Sequence, residues 1–231
     1  LCWRNPFIEY DKETKVEEAL SVGYGGIEAY GYHALETLQC MVERRQGGET
    51  GVVSVQCLEG DAVWQARDKG LWSAELATAA CDAIQKKPEG QMEEHVKDPA
   101  VFLVEYADGL KTATLMLSGY VSDFSYAARV DGQVQGVEFY LQNEGPFSHF
   151  GYLCRNVQDF FRTKKAPYPP ERTLLTTGII DAAMNSRHED HRKIETPYLN
   201  VAYSSYDKLP QRPIGTRPVG ASIDPQAPDI I

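Results

Sequence analysis

The chain has 231 residues, of which 42% are hydrophobic and 24% charged, and it carries a formal net charge of −10. That size suffices for one substantial core, or for one core plus a tail. The acidic balance excludes a nucleic-acid partner or an anionic-membrane surface, both of which need clustered Lys and Arg. Five scattered cysteines with no Cys-x-x-Cys pattern exclude a zinc ribbon and a disulfide framework, and point to free thiols in a reducing, cytoplasmic setting. There is also no apolar run of the ~18 residues that a membrane span needs.

Residues 1–22 read as polar and irregular, with 11–18 a charged surface segment. Next comes Gly23-Tyr24-Gly25-Gly26-Ile27-Glu28-Ala29-Tyr30-Gly31-Tyr32-His33, a glycine-rich entry into a predicted helix over 29–45. Ala34, Leu35, Leu38, Met41 and Val42 share one face of that helix, and His33, Glu36, Thr37, Cys40 and Arg44 share the other. Gly47-Gly48 stops it. Residues 51–59 alternate β-branched side chains as a strand does. Asp61 and Ser73 can cap helices over 61–64 and 73–84.

Apolar runs over 100–107 and 110–118 flank Asp108-Gly109, and runs over 123–130 and 134–142 flank Asp131-Gly132. Asp-Gly between such runs signals a hairpin. Helices are predicted over 147–162 and 171–187, separated by Pro167-Tyr168-Pro169-Pro170, and a last strand over 194–203, demoted to an edge at its start by Pro197. Beyond Ser204 there are five prolines and little periodicity. The reading is therefore an α+β domain over 1–203, a mainly antiparallel open sheet with helices packed on one face, followed by a Pro-rich extended tail over 204–231.

Among candidate functional residues, His33 stands out. At the positive end of a helix dipole the neutral imidazole is favoured, and a neutral imidazole facing a cleft can accept a proton from a reacting hydroxyl. Glu36, three residues on, can orient it, and Glu28 is a second carboxylate near the same helix end. Against this stands the plainer reading of a surface or capping histidine. The Gly23-x-Gly25 pattern fails as a phosphate-binding fingerprint, because Glu28 occupies the third glycine position and 15–20 reads as charged rather than as a buried strand.

Residues 188–191 (His-Glu-Asp-His) lack the spacing of a metal site and read as a solvated turn, so no metal is expected. His149, Tyr152 and Arg155 form a polar helix face. Tyr126 and Arg129 point to opposite sides of one strand. Thirteen tyrosines suit stacking on a polyol and equally suit sheets or interfaces. With no Gly-x-Ser-x-Gly elbow, a hydrolase has nothing to rest on.

The run from Gly31-x-His33-Ala34-Leu35-Glu36 through Arg45, then Gly-Gly-Glu-Thr-Gly-Val and Val55 to Trp64, resembles the C-terminal domain of Gfo/Idh/MocA oxidoreductases. Residues 119–129 and 167–178 are similar to an uncharacterised branch of the same family. The resemblance implies an α+β domain that binds a sugar or polyol and forms a homo-oligomer through its open sheet. It implies a catalytic His33 aided by Glu28, with Tyr30, Glu36, Tyr126, Arg129, His149 and Arg155 as candidate substrate contacts. NAD or NADP would be held by a Rossmann half that this chain does not supply, so none is expected to bind this chain alone. In the family's Asp-x-Gly-x-His pattern the aspartate falls on Ala29, one position from Glu28, and Glu36 replaces a later aspartate. The Ala29 departure favours the alternative of a stand-alone, non-catalytic carbohydrate- or partner-binding domain.

Overall fold

A computed structural model describes residues 2–142, 144–145, 147–207, 210–215 and 217–218. Eight strands make one sheet: β1 (Trp3–Asn5), β2 (Val16–Gly23), β3 (Val52–Glu59), β4 (Ala100–Tyr106), β5 (Lys111–Met116), β6 (Phe124–Val130), β7 (Gln133–Tyr140) and β8 (Ile194–Glu195), in the order β1-β7-β6-β2-β5-β4-β3-β8. All pairings are antiparallel except β2 with β5. Six helices accompany it: α1 (Ala29–Val42), α2 (Asp61–Asp68), α3 (Ala74–Ala83), α4 (Met92–His95), α5 (His149–Thr163) and α6 (Pro170–His188). The mainly antiparallel α+β sheet is the expected one, and both Asp-Gly hairpins form.

Three expectations are corrected. Residues 16–23 are not irregular: β2 is a central strand, inserted between the two hairpins. Its charged first half, Glu17 and Glu18, lies at the rim, while Ala19 to Gly23 are buried on both faces. A strand covered on both sides reads as a short apolar run without alternation, and the charges before it masked that run. The predicted strand over 194–203 pairs with β3 only at Ile194 and Glu195; Pro197, which has no N–H for a ladder, opens a 3-10 turn (Pro197–Leu199).

The helices, finally, are not confined to one face. α1 and α6 pack on one side with Ala34, Leu38, Phe102, Tyr126 and Ile179. α2 and α3 cover the other, with Val63, Leu76 and Ala80 against Leu20, Val22, Val101 and Leu115. Ser73 caps α3 as expected, its hydroxyl accepting from Leu76 N at 3.2 Å. Both broad faces of the sheet are thereby covered, so the open sheet surface on which oligomerisation was expected is largely occupied by the chain's own helices.

The polar side of α1 does not face water along its second half. Glu43 has no side-chain exposure and accepts from Arg172 Nε on α6 at 2.7 Å, Ser205 Oγ at 2.7 Å and Tyr203 OH at 3.0 Å. Arg172 Nη2 adds a second bond, making the pair bidentate. Gln39 links this group onward, donating to Tyr203 OH and Glu49 and accepting from Tyr106 OH at 2.8 Å. Glu49 in turn holds Arg45 and the N–H groups of Thr50 and Gly51.

The segment 204–218, where described, is pinned to the body. Arg44 bonds Tyr206 O at 3.1 Å, Asn156 pairs with the Gln211 backbone, and Arg217 meets Glu138 at 2.9 Å. Residues 219–231 lie outside the described residues.

Removing one member of a buried ion pair leaves the other charge unpaired and costs about 3–5 kcal/mol, whereas replacing both with apolar groups costs far less. Urea unfolding of Arg172→Met and Glu43→Leu should each show a loss of that order, and the double variant a smaller loss than either. Additive losses would show that the two residues do not act as a pair.

Candidate functional site

β2 ends at Gly23 in the middle of the sheet, and the chain turns through Tyr24-Gly25-Gly26 straight into α1. Gly25 sits at φ +81°, and a Cβ there would lie 2.6 Å from the Tyr30 ring, so glycine is required both by the turn and by the tyrosine folded over it. Gly31 has a different reason: its Cβ would meet Phe102 at 2.8 Å, which lets α1 press onto β4. These two contacts fix the start of α1 over the end of the sheet.

There the chain builds a cluster of rings. Tyr24 lies 5.3 Å from Tyr30 and 5.1 Å from Phe124, and Tyr30 stacks over Phe124 at 6.3 Å. His33 meets Tyr30, Tyr32 and Phe124 edge-on at 5.8–6.2 Å. His33 and Tyr30 are exposed, Tyr32 is half-buried and Phe124 is buried. Among the described residues the His33 ring makes no hydrogen bond, so its nitrogens are available to a ligand. The resulting surface is an aromatic wall with one exposed proton acceptor at its edge. It can stack on the C–H face of a ring and exchange a proton with a hydroxyl on it.

The other expected site residues scatter. His33 is the fifth residue of α1, beyond the first turn within which the dipole acts, so that part of its expected environment is weaker. Glu28 occupies the N-cap position without a capping hydrogen bond and is exposed, roughly 140° round the helix from His33 at 100° per residue. Glu36 turns into the seam between α1 and α6, accepting from Thr176 Oγ1 at 2.6 Å rather than orienting His33. Tyr126 is on the same sheet face as His33 but fully buried beside Tyr10.

Arg129 is on the opposite face, bonded to Glu75 at 2.5 Å beside an open groove of 470 Å³ that also includes Glu18, Trp72 and Lys111. His149 and Arg155 are on α5; His149 packs against Phe150, and burial pulls its imidazole below its ordinary pKa. Among the described residues neither has a contact with His33. Among the described residues Tyr30 and His33 are the members of the expected set whose rings meet, and Tyr24, Tyr32 and Phe124 join them there. The tyrosines stood in the glycine-rich stretch already singled out. Phe124, at two residues before Tyr126, shares its sheet face by period.

The glycine-rich turn does not make a pyrophosphate cradle. Tyr30 fills the space over Gly25, and a carboxylate, Glu28, stands where a phosphate at a helix N-terminus needs N–H groups and positive potential. The turn thus does not match the phosphate-binding fingerprint, although a strand does lead into it, contrary to the sequence reading.

Neither a known family profile nor a curated protein matches the chain. Among solved structures it is similar to GenD2 from gentamicin A biosynthesis, solved in complex with NAD, with 14% sequence identity and a TM-score of 0.49. The likeness covers 78% of this chain and 55% of GenD2, so the chain spans about half of that protein's length. A likeness this distant carries no argument about what the chain binds.

Burial raises Glu36 above its ordinary pKa of 4.5, against the pull of Thr176 and Arg172. A carboxyl with a raised folded pKa binds more protons folded than unfolded, so its contribution favours the fold at low pH and is lost as pH rises from 4.5 through the raised value. Urea midpoints of wild type and Glu36→Gln, compared across that range, should show the variant losing less stability as pH rises. Parallel profiles would mean that Glu36 titrates normally.

Proposed function

We propose that this chain is the substrate-binding part of an NAD(P)-dependent sugar or polyol oxidoreductase, of the Gfo/Idh/MocA kind its sequence resembles. The observation that carries the reading is the exposed, unbonded His33 at the edge of the Tyr24–Tyr30–Phe124 wall. The wall takes the apolar face of the ring, and His33 accepts the proton of the hydroxyl being oxidised. The hydride acceptor belongs outside this chain, whose own turn does not fit a dinucleotide.

The second reading, a non-catalytic carbohydrate-binding domain, draws support from a specific feature: among the described residues no carboxylate hydrogen-bonds His33, since Glu36 is taken by Thr176 and Glu28 lies on another side of the helix. Titration with inositol and glucose, followed by the imidazole proton resonances of His33, should shift them under either reading. Tyr30→Ala should weaken that binding by about tenfold, the worth of one aromatic contact. His33→Ala separates the two: polyol oxidation by the complete protein with NAD or NADP should fall by about 10²-fold or more, with affinity changing far less. Unchanged turnover leaves only the binding role, and no shift with any sugar overturns both.

Homo-oligomerisation belongs to the same proposal. With both sheet faces covered, the surface that supports it is the exposed stripe of α5 together with Phe147, two residues before it: Phe147, Phe150, Leu153, Val157, Phe160 and Phe161. A contiguous apolar stripe of this kind marks an interaction surface, and two copies of α5 related by a two-fold axis match it to itself. Sedimentation should give a dimer for wild type and a monomer for the Phe150→Asp, Phe160→Asp double variant. A dimer that survives both changes places the interface elsewhere.

A further inference from the structure

Outside the aromatic site, one cluster of side chains brings together the donors of a transition metal. Cys57 and Glu59 are two apart on β3 and so point to the same sheet face, the face covered by α6. After α6 the chain turns back at 189–192, and His191 folds against the same strand. One ring nitrogen of His191, the Cys57 sulfur and a Glu59 oxygen lie within 4.8 Å of one another. The turn read from sequence as solvated is instead held in place: His191 N–H bonds Ser186 O at 2.8 Å, Gln56 Nε2 donates to His191 O at 2.7 Å, and Nδ1 of the ring sits 3.1 Å from Cys57 O. Ser186 Oγ closes the arrangement, accepting from Cys57 N at 3.0 Å and donating to Arg192 O at 2.6 Å.

We propose that Cys57, Glu59 and His191 bind a divalent zinc-class ion, with water in a fourth position. Thiolate, imidazole and carboxylate are the donor set that Zn²⁺ accepts, and no two of these residues belong to the same turn of chain except the pair on β3. Zinc bond lengths of about 2.0–2.3 Å put tetrahedral donors roughly 3.3–3.8 Å apart, so the three close by about 1 Å on binding. Side-chain rotation at half-buried Glu59 and His191 supplies that movement, and these two also give the ion its way in past the buried Cys57.

Arg187 bonds Glu59 Oε2 at 2.8 Å, leaving Oε1 to the ion and orienting the carboxylate as outer partners of metal ligands do. On binding, the Cys57 S–H bond is replaced by a sulfur–metal bond and the proton goes to solvent. No oxidation or reduction is involved.

The site is independent of the polyol reading, and its test does not use activity. The full chain, purified with chelator and titrated with Co²⁺, should develop the near-ultraviolet sulfur-to-cobalt charge-transfer band at one equivalent, and Zn²⁺ should bleach it. Cys57→Ser and His191→Ala should each abolish the band, with Zn²⁺ affinity weakened by about 100-fold or more, while the exposed-cysteine variant Cys154→Ser keeps it. Circular dichroism checks that each variant is folded. Should the Cys57→Ser protein fail to fold, His191→Ala carries the decision, since its ring is half-exposed. A band that survives His191→Ala, or no band in folded wild type, overturns the proposal.

Discussion

Glu43 is a carboxylate with no exposure to solvent, and most of one side of the molecule is arranged around it. An isolated buried charge of this kind is intolerable without partners. Here four come from two distant parts of the chain: two Arg172 nitrogens from α6, and Tyr203 OH and Ser205 Oγ from the segment after residue 200. Because the carboxylate's lone pairs are all engaged, the crossing of α1 on α6 and the path of the chain after residue 200 are fixed by one centre. Hydrophobic burial could tolerate a sliding of these elements; a bidentate guanidinium and two hydroxyls have directional requirements and do not.

The consequence reaches the other end of α1. With its C-terminal half anchored through Glu43, Gln39 and Arg45, and its N-terminal half pressed onto Phe102 through Gly31, the helix is held at both ends. Tyr30, Tyr32 and His33 of the ring cluster are thus carried on a helix held at both ends, with Phe124 opposite on β6. The same seam explains why Glu36 is lost to the site. It points between the two helices, where Thr176 and the field of Arg172 receive it, while His33, three residues earlier, is left at the rim.

α5 obeys different constraints. Its inward side is narrow, with Gly151, Tyr152 and Asn156 buried, and the segment around Gln211 lies over Asn156. Tyr152 reaches Trp3 of β1, its ring 6.0 Å away, but the stripe from Phe150 to Phe161 stays exposed. Amphipathic periodicity requires that such a stripe be buried somewhere, but it does not specify whether the cover comes from the same chain. On α1 the apolar stripe met the sheet; on α5 a clearer stripe faces outward.

The sequence by itself determined the elements whose signals are local: the two Asp-Gly hairpins, the Ser73 cap, the helices read from about 29, 73, 147 and 171, and the presence of a histidine beside a glycine-rich turn. These depend on backbone preferences and on periodicity within a few residues of chain. Only the tertiary structure decided that β2 runs through the middle of the sheet, because a strand buried on both faces shows no alternation and its charged first half hid it. Only it placed Arg129 on the far face, Tyr126 in the core, Glu36 in a helix seam and His191 beside Cys57. Each of those outcomes depends on which remote residue arrives at a given position, and Arg172 reaching Glu43 across 129 positions leaves no trace in the spacing of either neighbourhood.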